Sequence, residues 1–153
     1  MRFAHPYDLL DHVGAELGVS DWLEIDQARI DAFARIIGTP EAQRGHLDAE
    51  RAAKEFPGDR AIVPGYLLLS LFPRLTKECL DIGQLRRTLN YGLNQLRFAA
   101  PVAVGARVRL RQTISAVEKA KGDGIRLTLD GVLEVEHVEH PAVVGQSLRI
   151  VYP

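Results

Sequence analysis

The sequence predicts an α+β fold in which an antiparallel sheet wraps around one buried helix. Residues 61–80 form the most apolar stretch, and residues 66–72 within it are apolar nearly all round, as in a helix enclosed by other structure. Segments of strand-like alternation follow this stretch. Helical patterns come before it and strands after it, an order typical of α+β folds. The length of 153 residues fits a single domain over residues 1–153.

Two helices and a short strand are predicted at the N-terminal end. Pro6 is acceptable at a helix start, and apolar residues then recur at helical spacing, which predicts a helix over residues 6–17. A short strand is predicted at residues 22–25. Asp26 then predicts the N-cap of a second helix, which Gly38 ends.

The next segment changes from loop chemistry to the apolar helix. Residues 39–47 show no periodicity and contain helix breakers, which predicts a loop, and Asp48 predicts the cap of a third short helix. In the apolar stretch, Pro64 suits a first helical turn. Pro73 should kink or interrupt the helix, because proline removes a backbone hydrogen bond.

The C-terminal half predicts four strands joined by loops rich in glycine, proline and lysine. The predicted strands are residues 88–98, 107–118, 124–138 and 146–152.

Composition excludes several classes of protein. The net charge is −1, which gives no basis for binding nucleic acid or an acidic membrane surface. The only cysteine is Cys79, so no disulfide can form within the chain, and this favours a reducing cytoplasm. The first residues show no apolar signal core, and residues 66–72 fall far short of the roughly 20 residues that a membrane helix needs.

Glu41 and His46 lie five positions apart in the predicted loop. Addition of water to a carbon–carbon double bond needs a base that activates the water and an acid that protonates the other carbon, and this pair can supply both. The alternative is that both side chains are simply solvated, as in most polar loops.

Two features of the apolar helix allow either a structural or a catalytic interpretation. Val63, Pro64 and Gly65 open the helix, and free N–H groups at Gly65 could polarise a thioester carbonyl, although ordinary helix initiation explains the same residues. Ser70 could face a substrate pocket, but a serine in a helix usually bonds back to its own backbone.

Charged residues in the strands favour structural roles. Arg107, Arg109 and Arg111 alternate on one strand face, which indicates a solvated surface, with contact to coenzyme A phosphates as the alternative. His137 and His140 would point to opposite faces of a strand, so the spacing does not favour a metal site.

Several long segments together carry a family resemblance over nearly the whole chain. They are HVGAELGVSDWLEIDQARIDAFARIIG, LDAERAA, AIVPGYLLLSLFPRL and NYGLNQLRFAAPVAVGARVRLR, in this order. The sequence resembles the nodulation-protein-N-like branch of the MaoC-like dehydratases. The resemblance implies a hot-dog fold, a homodimer or larger homo-oligomer, and hydration of trans-2-enoyl-CoA to (3R)-hydroxyacyl-CoA or the reverse dehydration. The implied partner is an acyl-CoA thioester, so that coenzyme A is part of the substrate and is not a cofactor. The resemblance also implies that no metal or redox cofactor is used.

The resemblance also implies a set of site residues. The family motif is an aspartate, four intervening residues and a histidine, so Glu41 takes the aspartate position and His46 the histidine position. Gly65 matches the glycine whose amide faces the thioester oxygen, while Pro64 stands where the family usually has histidine. Ser70 matches a serine of some active hydratases. With Ser70, the residues expected to line the acyl pocket are Tyr66, Leu67 and Phe72.

Three other functions remain open on the sequence. Loss of the motif's aspartate favours a non-catalytic acyl-CoA-binding or structural subunit on the same fold. A hot-dog thioesterase would share the substrate class. A plain interaction module in a larger complex is the third alternative.

Overall fold

The computed structural model describes residues 1–38 and 61–153. Its helices are a 3-10 helix at Pro6–Asp11, α1 at Gln27–Ile37, α2 at Gly65–Ser70 and α3 at Phe72–Cys79. Its strands are β1 at Arg2–Phe3, β2 at Glu16–Val19, β3 at Leu23–Glu24, β4 at Asp81–Ile82, β5 at Arg87–Phe98, β6 at Arg107–Lys119, β7 at Ile125–Val135 and β8 at Val143–Tyr152.

The main sheet has six strands, in the order β2-β6-β7-β8-β5, with β3 paired to β6 beside β2. All of its pairings are antiparallel. A separate parallel pair joins β1 to β4. The four long strands lie where four were predicted, although β7 ends at Val135 instead of residue 138 and β8 begins at Val143 instead of residue 146. His137 therefore lies in a turn and not in a strand. The predicted α+β class is confirmed.

Helices α2 and α3 cover one face of the sheet. Alternate residues of β6 and β7 are fully buried, for example Leu110, Ile114 and Leu129. Phe72 packs closely on β7, since a Cβ atom on Gly131 would lie 2.8 Å from its Cε2 atom. The predicted buried helix is therefore confirmed as the element around which the sheet packs.

The apolar helix is interrupted as Pro73 predicted. Helix α2 ends at Ser70 and α3 begins at Phe72, so Leu71 separates the two segments and Pro73 lies in the first turn of α3. Proline has no N–H to continue the preceding hydrogen-bond ladder, but its fixed φ angle suits a new helix start.

The N-terminal prediction is half right. A helix over residues 6–17 was expected, but only Pro6–Asp11 is helical, and Glu16–Val19 pairs with β6 instead. Gly14 has φ 86°, a left-handed conformation that ends the helical path before β2.

Both ends of α1 are as expected. The Asp26 carboxylate accepts a hydrogen bond from the Arg29 N–H at 2.9 Å. Gly38 closes the helix in the left-handed region at φ 71°.

The predicted loop at residues 39–47 and the short helix after Asp48 lie outside the described residues. Across the two described ranges, no helix is long and apolar enough to cross a membrane.

Candidate active site

The start of α2 is held against the loop before β6. The Val63 N–H donates to the Val102 carbonyl oxygen at 2.7 Å. The Pro64 carbonyl oxygen then accepts from Leu67 at 3.0 Å and Leu68 at 3.2 Å, and no side chain caps this helix start. The earliest N–H groups of a helix have no intrahelical acceptor, so the Gly65 amide is available to an acceptor from outside the helix.

Gly65 lies close to the end of β5. A Cβ atom on Gly65 would lie 2.9 Å from Cδ1 of Phe98. The Phe98 ring also contacts Tyr66 edge-on, with 5.7 Å between ring centroids. A side chain at position 65 would therefore have to displace the Phe98 ring, which is 46% exposed.

An apolar cavity of about 320 Å³ lies between α2, the start of α3 and the strands β5 and β8. Its lining is mainly apolar, with a few polar side chains. The lining residues are Leu69, Ser70, Phe72, Pro73, Asn90, Tyr91, Gly92, Leu93, Ser147, Leu148 and Arg149. A cavity of this kind suits the hydrocarbon part of a ligand.

The residues expected to line an acyl pocket divide into two groups. Ser70 and Phe72 border this cavity. Tyr66 is 71% exposed, and Leu67 is buried in the hydrophobic core, so neither contributes to the cavity wall. The proposed acid/base residues Glu41 and His46 lie outside the described residues.

Ser70 fits both the structural interpretation, in which it bonds to its own helix, and the interpretation in which it faces a pocket. Its hydroxyl donates to the Leu67 carbonyl oxygen at 2.7 Å, as a serine within a helix usually does. The same side chain borders the cavity, and the hydroxyl oxygen keeps lone pairs that can accept a hydrogen bond there.

Two polar residues of β8 were missed by the sequence analysis. Ser147 and Arg149 are 8% and 9% exposed, and they point with Val151 toward the helices. In β8, apolar residues occur on both faces, so alternation alone does not show which face is inward. The only signal in the sequence is that Ser147 and Arg149 are two positions apart, which places both polar side chains on the same face of the strand.

The arginines of β6 form ion pairs with carboxylates on the outer face of the sheet. Arg107 contacts Glu136 at 2.9 Å, Arg109 contacts Glu134 at 2.6 Å, and Arg111 contacts Glu134 at 2.8 Å. Burial alone would raise the pKa of Glu134, but the hydrogen bonds from both arginines outweigh it and hold that pKa below its usual value. These contacts support the structural interpretation of the arginine stripe.

A family model, described as the MaoC like domain, matches residues 9–136. The chain belongs to the MaoC-like family.

Two curated relatives of this MaoC-like chain match along nearly their full length. It is 37% identical over 141 residues to 3-hydroxyacyl-thioester dehydratase Z of Mycobacterium tuberculosis, covering 92% of this chain and 91% of the relative. It is 34% identical over 145 residues to nodulation protein N of Rhizobium leguminosarum bv. viciae, covering 94% and 89% respectively.

A solved structure agrees with the fold. The (R)-hydratase from A. caviae involved in PHA biosynthesis superposes with a TM-score of 0.70 at 27% identity, covering 92% of this chain and 96% of that one. The MaoC-like chain therefore has the hot-dog fold, as the resemblance implied, with α2 and α3 as its central helical segment.

Proposed function

We propose that this MaoC-like chain catalyses hydration of a trans-2-enoyl thioester to the (3R)-hydroxyacyl thioester, or the reverse dehydration. The observation that carries the proposal is the apolar cavity of about 320 Å³ beside Ser70 and α2, which suits an acyl chain. The relatives support the reaction class, since one is named a 3-hydroxyacyl-thioester dehydratase and a solved neighbour is named an (R)-hydratase.

The proposed chemistry uses residues from the loop and from α2. Glu41 and His46 together hold a water molecule. One of them removes a proton as the water oxygen bonds to the β-carbon, and the other delivers a proton to the α-carbon. The Gly65 amide donates to the thioester oxygen as negative charge develops there. The net change is addition of one water across the double bond, and the reaction needs no metal or redox cofactor.

Glutamate in the aspartate position makes the geometry of this step demanding. Glutamate carries the same carboxylate on a side chain longer by one methylene, and a displacement of about 1 Å can cost on the order of 10²-fold in rate. The backbone of the loop must therefore compensate for the extra length if the pair is to act together.

Hydration of crotonyl-CoA, followed by loss of the enoyl absorbance, tests the proposal. We expect turnover in the natural chain and a loss of roughly 10²- to 10⁴-fold in kcat for Glu41→Ala and His46→Ala, the usual size of an acid/base contribution. His140→Ala is the control, because this histidine lies in the turn before β8, away from the cavity, and the variant should keep full activity.

Other outcomes identify the alternatives. Tight binding of an acyl-CoA without turnover would establish a non-catalytic subunit. Release of a free thiol would establish a thioesterase. Full activity in both loop variants would rule out the acid/base assignment.

We further propose that the chain forms a homodimer through β5. This strand ends the main sheet, and its large apolar side chains are exposed, with Leu89 at 44% and Leu93 at 47%. An uncovered apolar edge strand is a template for pairing, and a second copy offers an identical strand.

We also propose a cytoplasmic location, because Cys79 is buried as a free thiol and a reducing compartment suits a free thiol.

A further inference from the structure

Arg149 is a buried cation whose side chain makes one hydrogen bond to the described residues. Its Nη2 atom donates to the Thr76 hydroxyl oxygen at 2.8 Å. Its Nε atom is buried without a partner, and Arg149 forms no ion pair within residues 1–38 and 61–153. Since an arginine side chain offers five N–H donors, most of them have no acceptor among the described residues, and the Nε donor is also shielded from water.

Arginines on the surface of the same chain contrast with Arg149. Several of them lie within 4 Å of a carboxylate, although their charges are partly solvated. These pairs are Arg2–Asp81, Arg29–Asp26, Arg107–Glu136, Arg109–Glu134, Arg111–Glu16 and Arg126–Glu118. In the described part of the chain, the buried Arg149 thus has no carboxylate partner, although an unpaired charge costs most where it is buried.

Arg149 lies where two cavities adjoin. It lines the acyl-sized cavity beside Ser70 and also a second cavity of about 390 Å³, and Pro73 and Asn90 line both. The only carboxylate on the second cavity's described wall is Asp81, and Arg2 already contacts it at 3.0 Å. Arg149 therefore contributes to the walls of both cavities, and no carboxylate of the described residues is paired with it.

Neighbouring residues extend Arg149 into a polar cluster. Asn90 of β5 is its cross-strand partner, and paired residues of antiparallel strands project to the same side. Ser147 lies two residues earlier on the same face of β8, and its hydroxyl is also buried without a partner in the described part of the chain. Thr76 donates its own proton to the Phe72 carbonyl oxygen at 2.7 Å, so its oxygen is held as an acceptor for Arg149.

The energetics point to a ligand that supplies negative charge. Burial lowers the pKa of Arg149, because the charged form has lost water without gaining a counter-ion. A hydrocarbon chain would leave the Arg149 Nε atom and the Ser147 hydroxyl without a hydrogen-bond partner. A carboxylate accepts from a guanidinium through two parallel hydrogen bonds, and it would satisfy these donors at once.

We propose that Arg149, assisted by Ser147 and Asn90, binds a carboxylate at the far end of the acyl chain, so that the preferred substrate is an ω-carboxyacyl thioester. The inference rests on the proposed function, because it takes the cavity beside Ser70 as the acyl cavity. It adds the substrate class, which neither the fold nor the relatives' names specify.

Paired substrates test the inference. The full chain is assayed with trans-2-enoyl-CoA esters of increasing length, from hexenoyl to decenoyl, and with the ω-carboxy counterpart of each. We expect the natural chain to show a higher kcat/KM for the ω-carboxy ester, with an optimum at the length that spans the cavity.

Arg149→Met separates charge recognition from catalysis. Methionine is apolar and flexible, so it can fill the space without a charge. We expect kcat/KM for the best ω-carboxy ester to fall by about 10- to 100-fold, the usual cost of losing a hydrogen bond to a charged group. Activity toward the unsubstituted ester should fall by less, so that the ratio of the two kcat/KM values drops, and the activity that remains shows that the variant folds. Arg107→Met is the matched control, since it removes an exposed arginine from the outer face and should leave the ratio unchanged.

Each outcome separates the inference from the proposed function. Hydration of unsubstituted esters with no preference for a terminal carboxylate at any length would overturn the inference and leave the proposed function intact. Absence of turnover with every ester would overturn the proposed function. If Arg149→Met does not fold, the preference of the natural chain and a smaller fall in the same ratio for Ser147→Ala still decide the question.

Discussion

At the scale of single residues, some buried polar side chains have a hydrogen-bond partner and others have none among the described residues. Thr76 is 1% exposed, but its hydroxyl both donates and accepts a hydrogen bond. Gln112 is equally buried on β6, yet neither its amide nitrogen nor its amide oxygen has a partner among the described residues. An unsatisfied buried amide destabilises the folded state, because the group loses its water on folding.

Gln112→Met should therefore stabilise the protein or leave its stability unchanged. Methionine has nearly the same length and no amide to desolvate, and an unsatisfied buried polar group costs about 1–3 kcal/mol. The measurement is the free energy of unfolding from urea denaturation. Gln146→Met is the control, since the Gln146 amide donates to Asp130 at 2.8 Å and to Ser115 at 3.2 Å. Destabilisation by more than about 1 kcal/mol in Gln112→Met would contradict the idea that the amide is unsatisfied.

At the scale of elements, the outer face of β6 and β7 is held by ion pairs rather than by apolar packing. The Glu134 carboxylate lies between Arg109 and Arg111, and Arg111 also contacts Glu16 of β2 at 2.6 Å. One carboxylate thus joins two cationic side chains of the neighbouring strand, and the network reaches three strands. Single exposed pairs contribute little, but connected pairs are more effective.

The lowered pKa of Glu134 predicts how stability depends on pH. A carboxylate whose pKa is depressed in the folded state stabilises the protein above its unfolded pKa of about 4.3, and this contribution is lost as the pH falls through the folded value. Glu134→Gln should lower the stability near neutral pH and flatten its decline below about pH 4.3. Urea denaturation at a series of acidic pH values measures both effects. Glu24→Gln, at an exposed strand end without an ion pair in the described part of the chain, should leave the profile unchanged.

At the scale of the whole molecule, the two ends of the main sheet differ. At one end, β2 and β3 both pair with β6. At the other end, the twelve residues of β5 are exposed except for Leu96, which is half-buried. Its pairing with β8 contains two register shifts, at Asn90/Gly92 and Asn94/Arg97. Such irregularities bend an edge strand, but they do not cover its apolar side chains.

Leu89→Lys tests the proposed homodimer. A charge on this apolar edge should convert a dimer into a monomer, because the lysine would be buried against the second copy. Light scattering after size-exclusion chromatography measures the mass against the 17.0 kDa of one chain. Val13→Lys is the matched control, since Val13 is 55% exposed and lies outside β5. A natural chain that elutes as a monomer at all concentrations would exclude the homodimer.

The sequence by itself determined the class of fold, the long strands and the limits of α1. These features depend on local chemistry, namely the two-residue alternation of strands, the Asp26 cap and the Gly38 stop. Local chemistry also located the interruption near Pro73. The family resemblance added the hot-dog fold and the reaction class.

Only the tertiary structure decided the path of residues 12–19 and the inward face of β8. Apolar spacing through Leu17 favoured a helix, but pairing with β6 satisfies the same backbone groups and buries Leu17 to 4% exposure. In β8, the sequence does not show that Ser147 and Arg149 face inward, because that depends on which side α2 and α3 cover. The apolar cavity and the buried Arg149 in its wall exist only where β5, β8 and the two helices meet, and such contacts between distant segments leave no local pattern in the sequence.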